Sequence, residues 1–249
     1  MKDFTVARNY IDGQFVDADS MTEVENPSTE KVIGSVPNGS GADVDAAVAA
    51  AKHAQVGWSE KTASERAAYL YEIAAKVKDN SELLARCLST EQGKTMELAH
   101  GEVAFTWQYL EYTAEWARRI EGEIITSDRP GEQILMYRKP LGVVAGILPW
   151  NFPLFLIARK MGPALLTGNT IVIKSSSETP LNAYLFAKLV NETSLPKGVF
   201  GLVAGRGSVV GRALSKHVDV DLVTVTGSVA TGAQIMADAA TNITKVNLE

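Results

Sequence analysis

The sequence predicts an α/β fold: an open parallel sheet with flanking helices, preceded by an N-terminal hairpin and a helical segment, and carrying a protruding β-hairpin. Three observations predict it. From Leu141 onward, short apolar runs alternate with helical stretches. Before that point, four stretches place apolar residues at helical spacing. Between the two regions stands a charged hairpin sequence that belongs to neither.

The first segment, Asn9 to Val16, alternates around Asp12-Gly13, a pair preferred in type I′ turns, and reads as a small hairpin. Residues 20–41 are rich in Pro, Ser, Gly and Asn and read as extended connection and turns. Four helices follow. The first runs from about Ala42 to Val56, with Val44, Ala47, Val48 and Ala51 on one face. The second opens with Thr62 and Glu65 in capping-box spacing and turns Leu70, Ile73, Ala74 and Val77 inward. The third starts near Ser81 and stops at Gly93. The fourth, from about Thr95 to Arg119, carries Phe105, Trp107, Tyr109, Tyr112 and Trp116.

Residues 123–126 and 133–138 then flank Asp128-Arg129-Pro130-Gly131, a strong turn sequence. This reads as an arm that pairs with something else. Beyond it, the apolar runs are Gly142–Leu148, Thr170–Ile173, Val199–Val203, Leu222–Val225 and Ile243–Leu248. The helices between them cover about Phe155–Leu166, Asn182–Thr193, Ser208–Lys216 and Ala230–Ala239. A β-α-β-α-β rhythm of this kind implies a Rossmann-like parallel sheet with right-handed crossovers. The expected division is residues 1–121 as hairpin and helices, 122–140 as the arm and 141–249 as the dinucleotide-binding core.

Several function classes are excluded. A formal net charge of −5 without any Lys/Arg cluster argues against nucleic acid. A single cysteine, Cys87, forbids an internal disulfide and fits a cytoplasmic setting. Asp3, Arg8 and Asp12 interrupt any signal-peptide core. The uncharged run from Pro140 to Ala158 is broken by Pro149 and Pro153, so it reads as strand, buried loop and helix, not as a membrane span. His53, His100 and His217 are far apart, so no metal site is expected. Gly93-Lys94-Thr95 resembles the end of a phosphate loop, but Leu88 stands where that loop needs glycine. Cys87, beside Leu83, Leu84 and Leu88, reads as a buried small hydrophobe.

Three places carry candidate chemistry. Gly205-Arg206-Gly207 and Gly211 follow a predicted strand and open a helix, where glycine lets a cofactor approach and the helix end favours phosphate. The spacing is not the dinucleotide fingerprint, and a plain tight turn explains it as well. Thr226-Gly227-Ser228 repeats the strand-to-helix arrangement; Ser228 suits both an N-cap and a pyrophosphate ligand. In Pro149-Trp150-Asn151-Phe152-Pro153 two prolines stiffen a loop at the carboxyl end of a strand, where open sheets place ligands. The Asn151 amide there could donate to a developing oxyanion, or the loop could merely turn the chain.

Together with Ile171-Val172-Ile173-Lys174 and the terminal Leu248-Glu249, these motifs resemble the aldehyde dehydrogenase superfamily, in order and over the whole chain. Residues 114–119 and 122–132 are most similar to bacterial lactaldehyde/glycolaldehyde dehydrogenases. The resemblance implies NAD or NADP as cofactor, a small hydroxyaldehyde or semialdehyde as substrate, and a homo-oligomer assembled through the arm. It implies that Asn151 is the oxyanion donor and Glu249 the general base. It places Lys174 on the adenosine ribose, Gly207 and Gly211 under the adenine half, Gly227 and Ser228 on the pyrophosphate, and Trp150 beside the nicotinamide. Two departures stand out. Family members continue past the position of Glu249 into a domain that carries the catalytic cysteine, so this chain is expected to be inactive alone. The family's Lys-Pro-x-Glu segment reads Lys174-Ser175-Ser176-Ser177, so Ser177 replaces a ribose-binding carboxylate. The alternative to an enzyme half is a module that binds a nucleotide or a partner without catalysis.

Overall fold

The computed structural model describes residues 6–249. Strands β1 (Asn9–Ile11) and β2 (Gln14–Val16) form the expected hairpin. Asp12 and Gly13 both have positive φ, 49° and 72°, as a type I′ turn requires. Residues 20–41 depart from expectation. Instead of extended connection and turns alone they hold a second antiparallel pair, β3 (Met21–Asn26) and β4 (Lys31–Pro37), with a bulge between Val24 and Glu25. β3 is largely exposed, with Val24 its one buried residue, and β4 buries only Gly34, Val36 and Pro37, so the apolar alternation that signals a strand is almost missing.

Helix α1 (Gly41–Glu60) extends past its apolar stripe because Trp58 is buried and its indole N–H donates to the Leu165 carbonyl at 3.1 Å. Helix α2 (Ala63–Asp79) starts with the reciprocal Thr62–Glu65 capping box. Helix α3 (Ser81–Gln92) stops at Gly93, whose φ of 83° puts it in the left-handed region. Helix α4 (Met96–Ala114) is shorter than expected, and residues 115–118 tighten into a 3₁₀ turn. Strands β5 (Glu123–Thr126) and β6 (Gln133–Met136) form the arm, exposed along both strands.

The second half alternates as the rhythm requires: β7 (Val143–Ile147), α5 (Pro153–Leu166), β8 (Thr170–Lys174), α6 (Leu181–Asn191), β9 (Phe200–Val203), α7 (Arg212–Lys216), β10 (Leu222–Val225), α8 (Val229–Ala239) and β11 (Lys245–Leu248). The helix expected from Ser208 opens instead as a π turn over Gly207–Gly211. The uncharged run after Pro140 is β7, a loop and the start of α5. No helix among the described residues is long and apolar enough to cross a membrane.

The main sheet has the order β11-β10-β7-β8-β9-β1-β2. Five strands, β11 to β9 in that order, are parallel, and the N-terminal hairpin adds two antiparallel strands at the edge. Alternate residues feed opposite layers. Val143, Ala145, Ile147 and Val172 pack with Val44, Val48 and Ala51 of α1 and Leu214 of α7. Val144, Ile171 and Ile173 pack with α5 and α6 against the α2–α4 layer. A strand covered on both faces reads as a continuous apolar run, which is why β7, β8, β9 and β10 were recognisable; β11, at the edge, is largely exposed. Truncating Ile173, fully buried, to Ala costs about 2–5 kcal/mol.

Strand order reverses at β7. The chain moves from β7 through β8 to β9 on one side, then returns to place β10 on the other. Such a switch point opens a crevice at the carboxyl ends of the two strands, where ligands bind in doubly wound sheets.

Candidate active site at the carboxyl ends of the parallel strands

Register brings the candidate residues to one edge. Ile147, Lys174, Val203, Val225 and Leu248 form a row across the five parallel strands. Just beyond the row come Asn151 after β7, Gly205 to Gly211 after β9, Thr226 to Ser228 after β10 and Glu249 after β11, while Lys174 itself ends β8. The ladder continues past the strands: Thr226 N donates to the Ile147 carbonyl at 3.3 Å and Gly227 N to the Glu249 carbonyl at 3.2 Å.

Asn151 is exposed, with its backbone rather than its side chain held. The Gln92 amide donates to the Asn151 carbonyl at 2.9 Å and the Lys94 ammonium at 3.3 Å. Among the described residues the Asn151 side-chain amide makes no hydrogen bond, which leaves its donors for a ligand. Trp150, beside it, is 57% exposed.

Lys174 is buried, and burial pushes its ammonium down to about 8 against the opposing pull of Glu178. It makes no hydrogen bond or ion pair among the described residues. A buried ammonium without a hydrogen-bond or ion-pair partner is costly unless a ligand supplies one. The neighbouring Ser175 hydroxyl is also buried without a partner. Ser177 is exposed and its hydroxyl donates to the Gly205 carbonyl at 3.4 Å.

In the glycine run, Gly205 alone is demanded by the chain itself. Its φ is 137°, and a Cβ there would meet the Val210 side chain at 2.7 Å and Gly39 N at 2.9 Å. A Cβ on Gly207 or Gly211 would meet nothing within 4 Å. Both lie beside open space, so packing within this chain gives no reason for glycine there.

Ser228 is the N-cap of α8; its hydroxyl accepts from Thr231 N at 3.2 Å. The capping reading is realised, and the helix N-terminus still presents its first N–H groups outward. Next to it, Ser228, Gly232, Ala233, Leu248 and Glu249 line a cavity of about 330 Å³.

Glu249 has three partners. The Thr226 hydroxyl donates to Oε2 at 2.9 Å, Arg159 Nη2 lies 3.2 Å from Oε1 and Lys160 Nζ lies 3.7 Å from Oε2. Burial raises this carboxyl, but the Thr226 hydroxyl and the two cations outweigh it and hold the group below its ordinary value. Lys160 is itself buried; burial pushes it down to about 8, and Glu249 opposes the shift. Arg159, Lys160 and Glu249 border a groove of about 1170 Å³ that reaches Arg138 at the end of the arm.

Sequence reasoning missed Arg159 and Lys160. The signal was present: two cations interrupt the otherwise apolar run from Leu154 to Leu166. It missed Glu102 as well, a buried carboxylate that accepts from Leu154 N at 2.8 Å and Phe155 N at 3.1 Å. Cys87 is buried, and burial together with Glu91 pushes its thiol well above the ordinary value, so it presents no nucleophile. Among the described residues no three His, Cys, Asp or Glu side chains gather as a metal site.

The aldehyde dehydrogenase family profile matches residues 15–249. Over 96% of its length the chain is 55% identical to lactaldehyde dehydrogenase of Escherichia coli, covering 50% of that protein. It superposes on the crystal structure of the E. coli lactaldehyde dehydrogenase with a TM-score of 0.96 at 54% identity, covering 98% of this chain and 52% of that one. It is 39% identical to the D-glyceraldehyde dehydrogenase (NADP(+)) of Thermoplasma acidophilum, again over 96% of this chain and 49% of that protein. A betaine aldehyde dehydrogenase from Staphylococcus aureus in complex with NAD+ superposes with a TM-score of 0.94 at 38% identity, over 98% of this chain and 49% of that one. The chain spans about half the length of the curated relatives it matches. On the profile and the 55% identity alike, the chain belongs to the aldehyde dehydrogenase family.

Proposed function

We propose that this chain supplies the cofactor site, the oxyanion donor and the general base for NAD(P)-dependent oxidation of an aldehyde to a carboxylic acid, with a small hydroxyaldehyde or semialdehyde as substrate. The observation that carries this reading is the shared edge: all five parallel strands deliver a candidate residue or loop to their carboxyl ends, around a topological switch point.

Bound NAD(P) would supply the hydride acceptor. Lys174, buried and without a hydrogen bond among the described residues, would donate to the ribose. Gly227, Ser228 and the N-terminus of α8 would hold the pyrophosphate. Gly207 and Gly211, beside open space, would admit the adenine half. Trp150 would wall the nicotinamide side. The free Asn151 amide would donate to the aldehyde oxygen as it gains negative charge, an effect worth about 3–4 kcal/mol for a single donor in comparable sites. Glu249, ionised at neutral pH, would take a proton from the water that releases the acid. The nucleophilic cysteine of the family resemblance would come from the half of the relatives that this chain does not span. The exposed arm would pair with a second subunit in a homo-oligomer.

Joining this sequence in frame to the remaining half of the E. coli lactaldehyde dehydrogenase tests the reading. The joined protein should reduce NAD or NADP in the presence of lactaldehyde or glycolaldehyde, and Asn151→Ala and Glu249→Gln should each lower kcat about 100-fold or more. A folded joined protein without aldehyde-dependent reduction counts against it. A second reading, nucleotide binding without catalysis by the chain alone, is favoured by the burial of its one cysteine.

A further inference from the structure

The loop that carries Asn151 is held from both ends by side chains from the junction of α3 and α4. Lys94 and Glu102 form an ion pair whose side chains are 9% and 0% exposed. The Lys94 ammonium also donates to the Asn151 carbonyl at 3.3 Å and lies 4.9 Å above the centre of the Phe152 ring. Through its other oxygen, Glu102 takes the N–H groups of Leu154 and Phe155, at the start of α5. Phe152, the N-cap position of α5, makes no capping bond of its own. Gln92 adds a second hold, donating to the Asn151 carbonyl at 2.9 Å and to the Trp150 carbonyl at 3.4 Å. Gly93, between Gln92 and Lys94, adopts the left-handed conformation that lets both side chains reach the same loop.

We propose that Gln92, Lys94 and Glu102 are positioning residues that aim the Asn151 amide at the reacting oxygen. The proposal rests on the reading of Asn151 as the oxyanion donor. The cation holds the carbonyl of Asn151 and the carboxylate holds the N–H groups three and four residues later. The segment between is therefore pinned, with Pro153 stiffening it from within and Pro149 just before it. None of the three needs to touch substrate. An oxyanion donor acts only if it is already oriented, and a displacement of about 1 Å can cost on the order of 100-fold in rate.

The test has two arms. Gln92→Met is the primary variant, because it removes the donor together with Gln92 Oε1, a buried oxygen that has no partner. Lys94→Met is the second, with Lys94→Arg as the conservative control that keeps a cation beside Glu102. In the joined protein, Gln92→Met and Lys94→Met should lower kcat on the order of tenfold with KM changed by less than about twofold, and Lys94→Arg should recover most of the rate. In the 249-residue chain, amide hydrogen exchange at residues 150–155 should accelerate in both Met variants, with exchange in β7 and β8 unchanged. If Lys94→Met does not fold, Gln92→Met decides the matter. Parental kcat in folded Gln92→Met, or parental exchange at 150–155, overturns the proposal. If Asn151→Ala keeps the parental kcat, the oxyanion reading itself has failed, and the exchange arm separates that failure from a failure of the clamp.

Discussion

Lys160 Nζ lies 3.7 Å from Glu249 Oε2 and donates to the Thr224 hydroxyl at 3.1 Å, so a buried ammonium on α5 faces the carboxylate at the end of β11. Each group moves the other. Burial alone would raise Glu249; Lys160 is one of the groups that bring it below its ordinary value. Lys160→Met removes that pull, so the Glu249 carboxyl should titrate at higher pH. In the joined protein the acid limb of the rate profile should move to higher pH, because fewer molecules carry an ionised base at a given acidity. An acid limb at the parental position would separate Glu249 from the base role or Lys160 from Glu249.

Glu91 predicts a pH-dependent stability. It is fully buried, accepts from Leu181 N and Asn182 N at the start of α6, and burial raises its carboxyl to about 7 from 4.5. A raised folded value favours the protonated form in the fold. Its stabilising contribution is therefore complete below about pH 4.5 and is lost as pH rises through about 7. The swing is on the order of 3 kcal/mol. Chemical denaturation of the parent and Glu91→Gln at pH 5 and pH 8 measures it. The cost of Glu91→Gln should be smaller at pH 8 than at pH 5; an equal cost at both contradicts the burial argument.

The arm predicts self-association. Ile124 and Leu135 are 78% and 51% exposed on a two-stranded sheet whose residues are all exposed, and Tyr137, just past β6, is 73% exposed. Contiguous apolar surface of this kind marks an interface or an aggregation liability. Size exclusion with light scattering should show species larger than 26.8 kDa. The double variant Ile124→Lys/Leu135→Lys should shift them towards monomer at an unfolding cost within about 1 kcal/mol. A monodisperse parental monomer is the contrary result.

The chain alone should not oxidise aldehydes. Its one cysteine is buried against Glu91 with its thiol raised, so no thiolate reaches the crevice. Cofactor reduction by the purified chain with lactaldehyde, glycolaldehyde or succinate semialdehyde should stay at background. Turnover that survives Cys87→Ala would contradict the assignment of residues to this half.

What the sequence made legible follows from range. Local signals were sufficient for the turn at Asp12-Gly13, the Thr62–Glu65 box, the stop at Gly93 and the four doubly covered strands β7 to β10. The β3–β4 pair was not legible, because β3 is largely exposed and β4 buries Gly34 and Pro37 beside Val36, so neither shows the apolar alternation that reveals a strand. Within the site, Asn151 could be named from its proline-flanked loop after a strand and Ser228 from its helix start, while Lys174 and Glu249 were named from the family resemblance. Their support could not. The helix starts at Leu154 and Leu181 are capped by Glu102 and Glu91, 52 and 90 residues away in sequence. No local pattern records such pairings, and only the fold brings them together.

The central claim, that the carboxyl edge of the sheet is an NAD(P) site, is tested most directly by calorimetric titration of the chain with NAD and NADP. The account predicts saturable binding of both. In NAD-specific dehydrogenases a carboxylate near the ribose repels a 2′-phosphate, by about 4 kcal/mol at 4 Å and an effective dielectric of 20. Ser177 removes that repulsion and Lys174 supplies a cation three residues away. Lys174→Met should weaken both cofactors, and Ser177→Glu should weaken NADP while sparing NAD. Binding of neither cofactor, or NAD bound more than about tenfold tighter than NADP and unchanged by Ser177→Glu, would contradict it.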